Sequence, residues 1–355
     1  MKEFKPNIDE VIERHRAYCR FEDADRPLLR IDIPLKAISY GISGIPLHNL
    51  DDWLRIVQLY EGCFRERKDV KDDFIPAAWA NLGVLGPIHA FLGCPIEYKS
   101  GSAWSKPILH DWSEIDEIRF NPENEWFKKC LGLTECLVER AGDRYAVSDP
   151  IGWAPGDLAA ALRGRENFIF DLYRHPEKAK QLLKICAILC IEIGDVFLEK
   201  VKHPYGGIVN GNYFNWMPGW RVGITQEDLT VYLSPKMYRE FLKPVDEWLI
   251  NQMDYTIFHN DGAWQITPEL LKVEKLGILQ LVDPPKGPRA LDLEVLKKGR
   301  RKKPIMISCR GLDEIRLAIQ TLGPRGLFIV TSAKSIKDAN KLVESVEKIA
   351  SKFEP

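Results

Sequence analysis

The chain has 355 residues, enough for one large α/β barrel with insertions, and 45% hydrophobic against 28% charged residues is the composition of a folded protein with a sizeable core. Basic and acidic residues nearly cancel, 50 against 51, and the pI is near 6.7, so no cationic excess marks the chain for nucleic acid or an anionic membrane surface. No apolar run reaches the roughly 18 residues of a membrane span, and the opening MKEFKPNIDEVIERHR lacks the apolar stretch of a secretion signal, so the expected compartment is the cytoplasm.

The first expected strand is PLLRIDIP (27–34), and the second is DDFIPAAWA (72–80). The alternation of strand and helix then breaks over 81–143, where GPIHAFLGCPIEY and AWSKPILHDWSEIDEIRF are rich in proline and tryptophan; this piece is expected to be an insertion covering a barrel mouth, within a single domain spanning 1–355. RYAVSDPI (144–151) resumes the pattern. AKQLLKICAILCIEIGDVFLEK reads as an amphipathic helix in which Cys186 and Cys190 serve as small apolar residues. GGIVNGNY (206–213), YTIFHNDG (255–262), GILQLVDPP (277–285), KPIMISCRG (303–311) and GLFIVTSA (326–333) complete a set of eight strands. Helical spacing recurs between the last four, in TPELLKVEKL, LDLEVLKKGR and LDEIRLAIQTL, and Thr267-Pro268 has the form of an N-cap followed by a first-turn proline. The basic run 297–303 is expected to be the solvated end of a helix. The expected fold is therefore α/β, a distorted (β/α)8 TIM barrel, with an open doubly wound sheet as the alternative.

Several chemistries are excluded by what these junctions lack. No Gly-x-Gly-x-x-Gly follows a strand, there is no Gly-Lys-Ser/Thr loop, no Gly-x-Ser-x-Gly elbow and no His-Glu-x-x-His. The eight cysteines include no Cys-x-x-Cys pair, which removes a zinc ribbon or thioredoxin site and leaves reduced thiols as the expectation.

In a barrel the chemistry gathers where strands end. The polar residues at those ends are Asp32, Trp79 with Asn81, Asp149 with Trp153, Asn210 with Asn212, His259 with Asp261, Asp283, Cys309, and Thr331 with Ser332. His259 and Asp261 form the sharpest pair. Two positions apart on one strand, they share a face with Cα atoms roughly 6.5 Å apart, and an imidazole with a carboxylate suits either a divalent metal, zinc included, or general acid–base work. A zinc site needs a third ligand from another strand, for which Cys309 or Asp283 is placed. NGNYFNWMPGW (210–220) adds amides and large rings, with Trp216 or Trp220 as stacking surfaces, and Asp228 either reaches back into the mouth or caps its helix.

These stretches resemble the uroporphyrinogen decarboxylase superfamily, which also contains the cobalamin- and zinc-dependent methyltransferases. The resemblance rests on DLAAALRGRENFIFDLYRHPEKAKQLL, on the Ser-Pro block of DLTVYLSPKMYREFLKPVDEWL, and on YTIFHNDG, which is similar to that superfamily's His-x-Cys-Gly or His-x-Asp-Gly strand end. It runs from roughly 75 to the C-terminus and is best over 140–310. It implies a distorted TIM barrel with a deep C-terminal mouth. The corrinoid-linked members bind zinc through His-x-Cys plus a cysteine after the last strand. Here His259 matches, Asp261 replaces the first cysteine, and the loop after GLFIVTS offers Thr331, Ser332 and Ser335 but no cysteine. The decarboxylases carry an arginine-rich clamp near the N-terminus, whereas PLLRIDIPLKAISYGISG has Arg30 and Lys36.

The leading expectation is a methyltransferase acting with a corrinoid, a corrinoid protein or a small methylated compound, with a divalent metal (zinc or another) on His259, Asp261 and Cys309 or Asp283. His259, Asp261, Asp228 and Asp149 are the expected catalytic residues. Asn210, Asn212, Trp79, Trp153, Trp216, Asp283 and Arg221 are expected around the substrate. One alternative is a cofactor-free decarboxylase of a carboxylated small molecule or tetrapyrrole, clamping its substrate with Arg163, Arg221 or Arg310; another is a non-catalytic tetrapyrrole- or corrinoid-binding barrel. A homodimer is left open.

Overall fold

In the computed structural model, residues 1–36, 49–80, 87–99, 102–299 and 303–353 are described. Asn81 and part of the basic run fall outside them. The strands, in chain order, are β1 (Leu28–Asp32), β2 (Ala77–Trp79), β3 (Ile96–Lys99), β4 (Ser102–Ser105), β5 (Ala146–Ser148), β6 (Gly207–Asn210), β7 (Asn215–Pro218), β8 (Val222–Gln226), β9 (Tyr255–Asp261), β10 (Ile278–Val282), β11 (Ile305–Ser308) and β12 (Leu327–Ser332). Each of the eight expected runs contains one. The other four, β3, β4, β7 and β8, were not expected. VGITQ is too short and too interrupted by glycine to show a period.

Six strands pair in parallel in the order β1–β12–β11–β10–β9–β8, and β2 pairs in parallel with β5. Helices cover the outside. Leu312–Leu322 and Ile336–Ala350 each bury one stripe, Ile315, Ala318, Ile319 and Leu322 on the first, and Ala339, Val343, Val346 and Ala350 on the second, at the 3–4 spacing of an amphipathic helix. The arrangement is a mixed α/β, barrel-like fold; among the described residues the ladders do not run continuously around a closed barrel.

Two devices bridge the gaps between the six-strand sheet and the β2–β5 pair. Beyond β5, Gly152 bridges Ile224 of β8, and the Trp153 N–H donates to the Ile224 carbonyl at 2.9 Å. At the other gap, side chains stand in for a strand. The Leu29 N–H donates to the Asp73 carboxylate at 2.8 Å, and the Ile31 N–H donates to Asp72 at 2.9 Å. Both carboxylates are buried, and both are neutralised. Lys5 and Arg67 bond to Asp72; Arg14 and Arg26 bond to Asp73. A buried carboxylate is tolerable only with such partners.

The antiparallel hairpin β6–β7 lies inside this ring. Its tip touches β2 and β5 through Gly211, which abuts Trp79 and Ser148; β1 through the Asn212 carbonyl, which accepts from Arg30 at 3.2 Å; and β9 and β10 through Tyr213. No position outside the ring reaches all of these at once. Helix Ile8–Cys19 closes the N-terminal end of the ring. His15 and Tyr18 set their rings edge-on to Phe328, and the Cys19 carbonyl accepts from Tyr255 Oη at 2.9 Å. The interior is therefore filled from below, and the strand ends, all pointing the other way, frame the opening.

Candidate active site

On β9 the pleat sends His259 and Asp261 to the inner face and Asn260 to the outer one. Asn260 is buried there and holds the following turn, accepting from the Ala263 N–H at 2.9 Å and donating to Thr267 Oγ1 at 3.1 Å. Gly262 takes φ +74°, a conformation that favours glycine, so the chain turns immediately after the pair. His259 is half-buried and Asp261 exposed. Their third neighbour is Asp228, the first residue of a short 3-10 turn, Asp228–Tyr232, that follows β8. One ligand atom from each of Asp228, His259 and Asp261 lies within 4.8 Å of the others.

Asp228 is placed by a reciprocal latch. The Asp157 carboxylate accepts from the Asp228 N–H at 3.0 Å and the Leu229 N–H at 2.9 Å. In return the Glu227 carboxylate accepts from the Gly156 and Asp157 N–H groups, at 2.8 and 3.1 Å, at the N-terminus of helix Pro155–Arg163. That end of a helix presents unpaired donors and partial positive charge. Asp228 as a residue is exposed, yet partial loss of water around its carboxyl is the main cause that raises it above its ordinary value; His259 opposes the rise, Asp261 adds to it and Arg165 opposes it. Burial, then the Asp228 charge, pushes Asp157 up to about 6. Glu227 is pushed well above its ordinary value by burial and by Asp246 beside it, whose carboxylate accepts from Tyr238 Oη at 2.9 Å.

His259 has its own support. Across the ladders it stands opposite Gln226 on β8 and Gln280 on β10. Tyr213 Oη is 2.9 Å from His259 Nδ1 and donates to Gln280 Oε1 at 2.9 Å; Gln280 Oε1 also lies against Nδ1. Tyr213 is held in turn by Asn210, whose Oδ1 accepts from the Asn212 and Tyr213 N–H groups at 3.0 Å each.

The other expected site residues fall in different places. Asp149 is buried at the end of β5, where burial pushes its carboxyl up to about 7; the Ile151 N–H donates to it at 3.0 Å, and the Trp153 indole, outside regular hydrogen-bond geometry, also favours its ionised form. Trp153 is not a wall of the opening but is fully buried, its indole filling the space that a Cβ on Gly194 or Gly223 would take. Trp79 is half-buried beneath Gly211 at the hairpin tip. Trp216 is brought to the core instead of the site, packed with Ile8, Val11 and Ile12 and overlain by Arg16. Arg221 precedes β8, at the end opposite the triad, and is clamped by both Asp195 oxygens at 2.8 and 2.6 Å. Arg163 is held by Asp171 at 2.7 Å. Asp283 closes its own loop, bonded to Arg289 at 2.6 Å and the Ala290 N–H at 2.7 Å. Cys309 is buried, its thiol pushed up to about 12 by burial, and it is not among the three converging groups. Asn210 and Asn212 shape the hairpin tip through the contacts given above.

Tyr213, Gln280, Asp157 and Glu227 escaped the sequence reading. Gln280 left a trace, as the lone amide in the apolar run ILQLV, and such a residue in a buried strand needs a partner. Glu227 sits beside Asp228 in QEDL with no feature to separate its role from its neighbour's.

No protein-family model matches the sequence, and no curated protein sequence matches it. The fold is similar to that of a methyltransferase from Methanosarcina mazei, with a TM-score of 0.64 and 13% identity over 95% of this chain and 98% of that one. Among the described residues no helix is long and apolar enough to cross a membrane.

An imidazole with two carboxylates is a three-ligand set suited to a hard or borderline divalent ion; it has no thiolate. The hydrogen-bonded Nδ1 of His259 and the latched backbone of Asp228 are the kind of outer support that metal ligands require. On this donor chemistry, Asp228, His259 and Asp261 fit a divalent cation.

Proposed function

We propose that the chain is a methyl-transferring enzyme that uses Asp228, His259 and Asp261 at the mouth of its barrel-like fold, with a corrinoid or a small methylated compound as reaction partner and a divalent metal as resident cofactor. The convergence of these three side chains from β9 and the turn after β8 is the observation that carries the reading. The fold shared with a methyltransferase supports it. The bound ion would supply Lewis-acid polarisation of the methyl acceptor or of the group that releases the methyl. Asp228 and Asp261 bring the negative charge that holds such an ion, and His259 contributes the neutral donor. The hairpin tip, filling the ring beneath them, keeps water from entering from below.

Two measurements test this. Protein purified without chelator is titrated with Zn2+, Mn2+ and Co2+ by calorimetry beside His259→Ala. The wild type should bind one equivalent, and the variant should lose about tenfold or more in affinity; equal, negligible binding in both removes the metal. Methyl loss from methylcobalamin in the presence of candidate acceptors, followed by absorbance, tests the transfer. No turnover with any corrinoid or methylated donor, at high enzyme concentration and with metal bound, would overturn the reaction class.

A further inference from the structure

We infer that Tyr213 and Gln280 are positioning residues that lock His259 into a single tautomer, with the proton on Nδ1 and the lone pair on Nε2. The inference rests on the reading of His259 as a working residue of the mouth, but its geometry stands without a metal. The Gln280 carboxamide oxygen has two lone pairs. It takes the Tyr213 O–H at 2.9 Å and faces His259 Nδ1, whose N–H fills the second. With the proton on Nε2 instead, and the Gln280 carboxamide kept in this orientation, the bare Nδ1 would face the same carbonyl oxygen, and the one Tyr213 hydroxyl proton could serve only one of the two acceptors. Gln280 is buried and Tyr213 only half-buried, yet both oxygens are committed to this cluster, so the mismatch would leave an acceptor unsatisfied.

The lock is built rather than incidental. Tyr213 arrives from within the ring of strands, on a hairpin tip fixed by Asn210 and by Gly211, where a Cβ would come within 3.1 Å of the Trp79 ring. Gln280 stands directly opposite His259 in the β9–β10 register. Two elements far apart in the chain thus converge on one ring nitrogen. Nε2 is left as the nitrogen that can ligate an ion or receive a proton, which is how outer partners set a working histidine.

Metal-free protein labelled with 15N-histidine, examined by long-range 1H–15N correlation at a pH where the ring is neutral, reads the tautomer directly. The wild type should show a pyrrole-type Nδ1 and a pyridine-type Nε2, in a ratio on the order of 10:1 or more, as one unsatisfied buried acceptor enforces. Gln280→Leu should shift that ratio at least tenfold toward the Nε2–H form. Tyr213→Phe should shift it less, and Gln280→Glu, which keeps an acceptor oxygen, should restore the Nδ1–H form. A wild-type ring carrying its proton on Nε2, or a ratio unmoved in a folded Gln280→Leu protein, overturns the lock. Titrating the same wild-type sample with Zn2+ separates the two ideas. A perturbed Nε2 resonance supports both, whereas an Nδ1–H ring untouched by metal upholds the lock and overturns the metal reading.

Discussion

Asp228 and Asp261 are like charges drawn within 4.8 Å of one imidazole, an arrangement that costs free energy unless a cation joins it. Loss of water raises the Asp228 carboxyl most, His259 opposes the rise, and the like charge of Asp261 adds a smaller part. Asp228→Asn keeps the volume and removes one charge, so it should lower divalent-ion affinity by about tenfold or more while leaving the fold intact, as calorimetry and circular dichroism would show. Cys309 offers the contrast. Its thiol is buried and held to about 12, so it is a poor source of thiolate, and Cys309→Ser should leave metal affinity unchanged. A loss of affinity in Cys309→Ser equal to that in Asp228→Asn would put the ligand set elsewhere. At this scale the sequence was half legible. His259 and Asp261 declare themselves because a two-residue repeat on one strand fixes their common face. Asp228 was visible as a residue but not as their partner, because its position depends on the Asp157 carboxylate, 71 residues away along the chain.

The latch belongs to the scale of elements. It ties the start of helix Pro155–Arg163 to the turn after β8 through four N–H donors and two carboxylates, the buried Glu227 and the half-buried Asp157. Asp157→Asn replaces one acceptor oxygen with a donor that faces an N–H. It should therefore release the Asp228–Tyr232 turn, seen as faster amide hydrogen exchange over that segment without a change in the β9 strand. Unchanged exchange would mean that Leu229 burial, not the latch, holds the turn. Trp153 is gripped by a different pair, β8 and helix Pro176–Leu198, and its indole occupies the room above Gly223 and Gly194. A Cβ at Gly223 would meet that ring at 2.2 Å, so Gly223→Ala should cost about 1–3 kcal/mol in denaturant unfolding. Reading Trp153 as a wall of the site was natural from its place after a strand. Only packing distinguishes an indole that lines an opening from one that plugs a seam. The hairpin β6–β7 was legible as one strand but not as a pair, because Asn215–Pro218 carries neither alternation nor a strand-length apolar run.

For the molecule as a whole, the period-2 and 3.6 patterns of the sequence suffice for the outer helices and for the parallel strands other than β8, but not for how the ring is bridged. The bridge at β1 consists of Asp72 and Asp73, which open the run DDFIPAAWA expected as a strand and carry no mark of this role. Buried carboxyls in different surroundings, Asp73 against Asp149 and Asp157, give the protein opposing responses to pH. The Arg26 and Arg14 guanidiniums hold the Asp73 carboxyl below the usual carboxylate range, against the opposing effect of its burial. A carboxyl depressed in the folded state contributes stability above its unfolded value of roughly 3.9, and that contribution is lost as pH falls through the folded value. Asp149 and Asp157 work the other way. Burial raises them to about 7 and about 6, so the folded chain binds protons that the unfolded chain has released. Their contribution is complete below pH 4 or so and is lost as pH rises through 6 and 7. The urea midpoint of metal-free protein should therefore peak between about pH 4 and 5.5 and decline toward pH 8, and Asp149→Asn should flatten the decline. Asp73→Ala should instead lower the unfolding free energy across the whole range by about 3–5 kcal/mol, and the urea midpoint with it, because Arg26 would be left buried without its Asp73 partner and the Leu29 N–H without its acceptor. A midpoint that rises steadily from pH 5 to pH 8 would show that Asp149 and Asp157 are ionised in the folded protein at neutral pH, and that burial does not govern their charge.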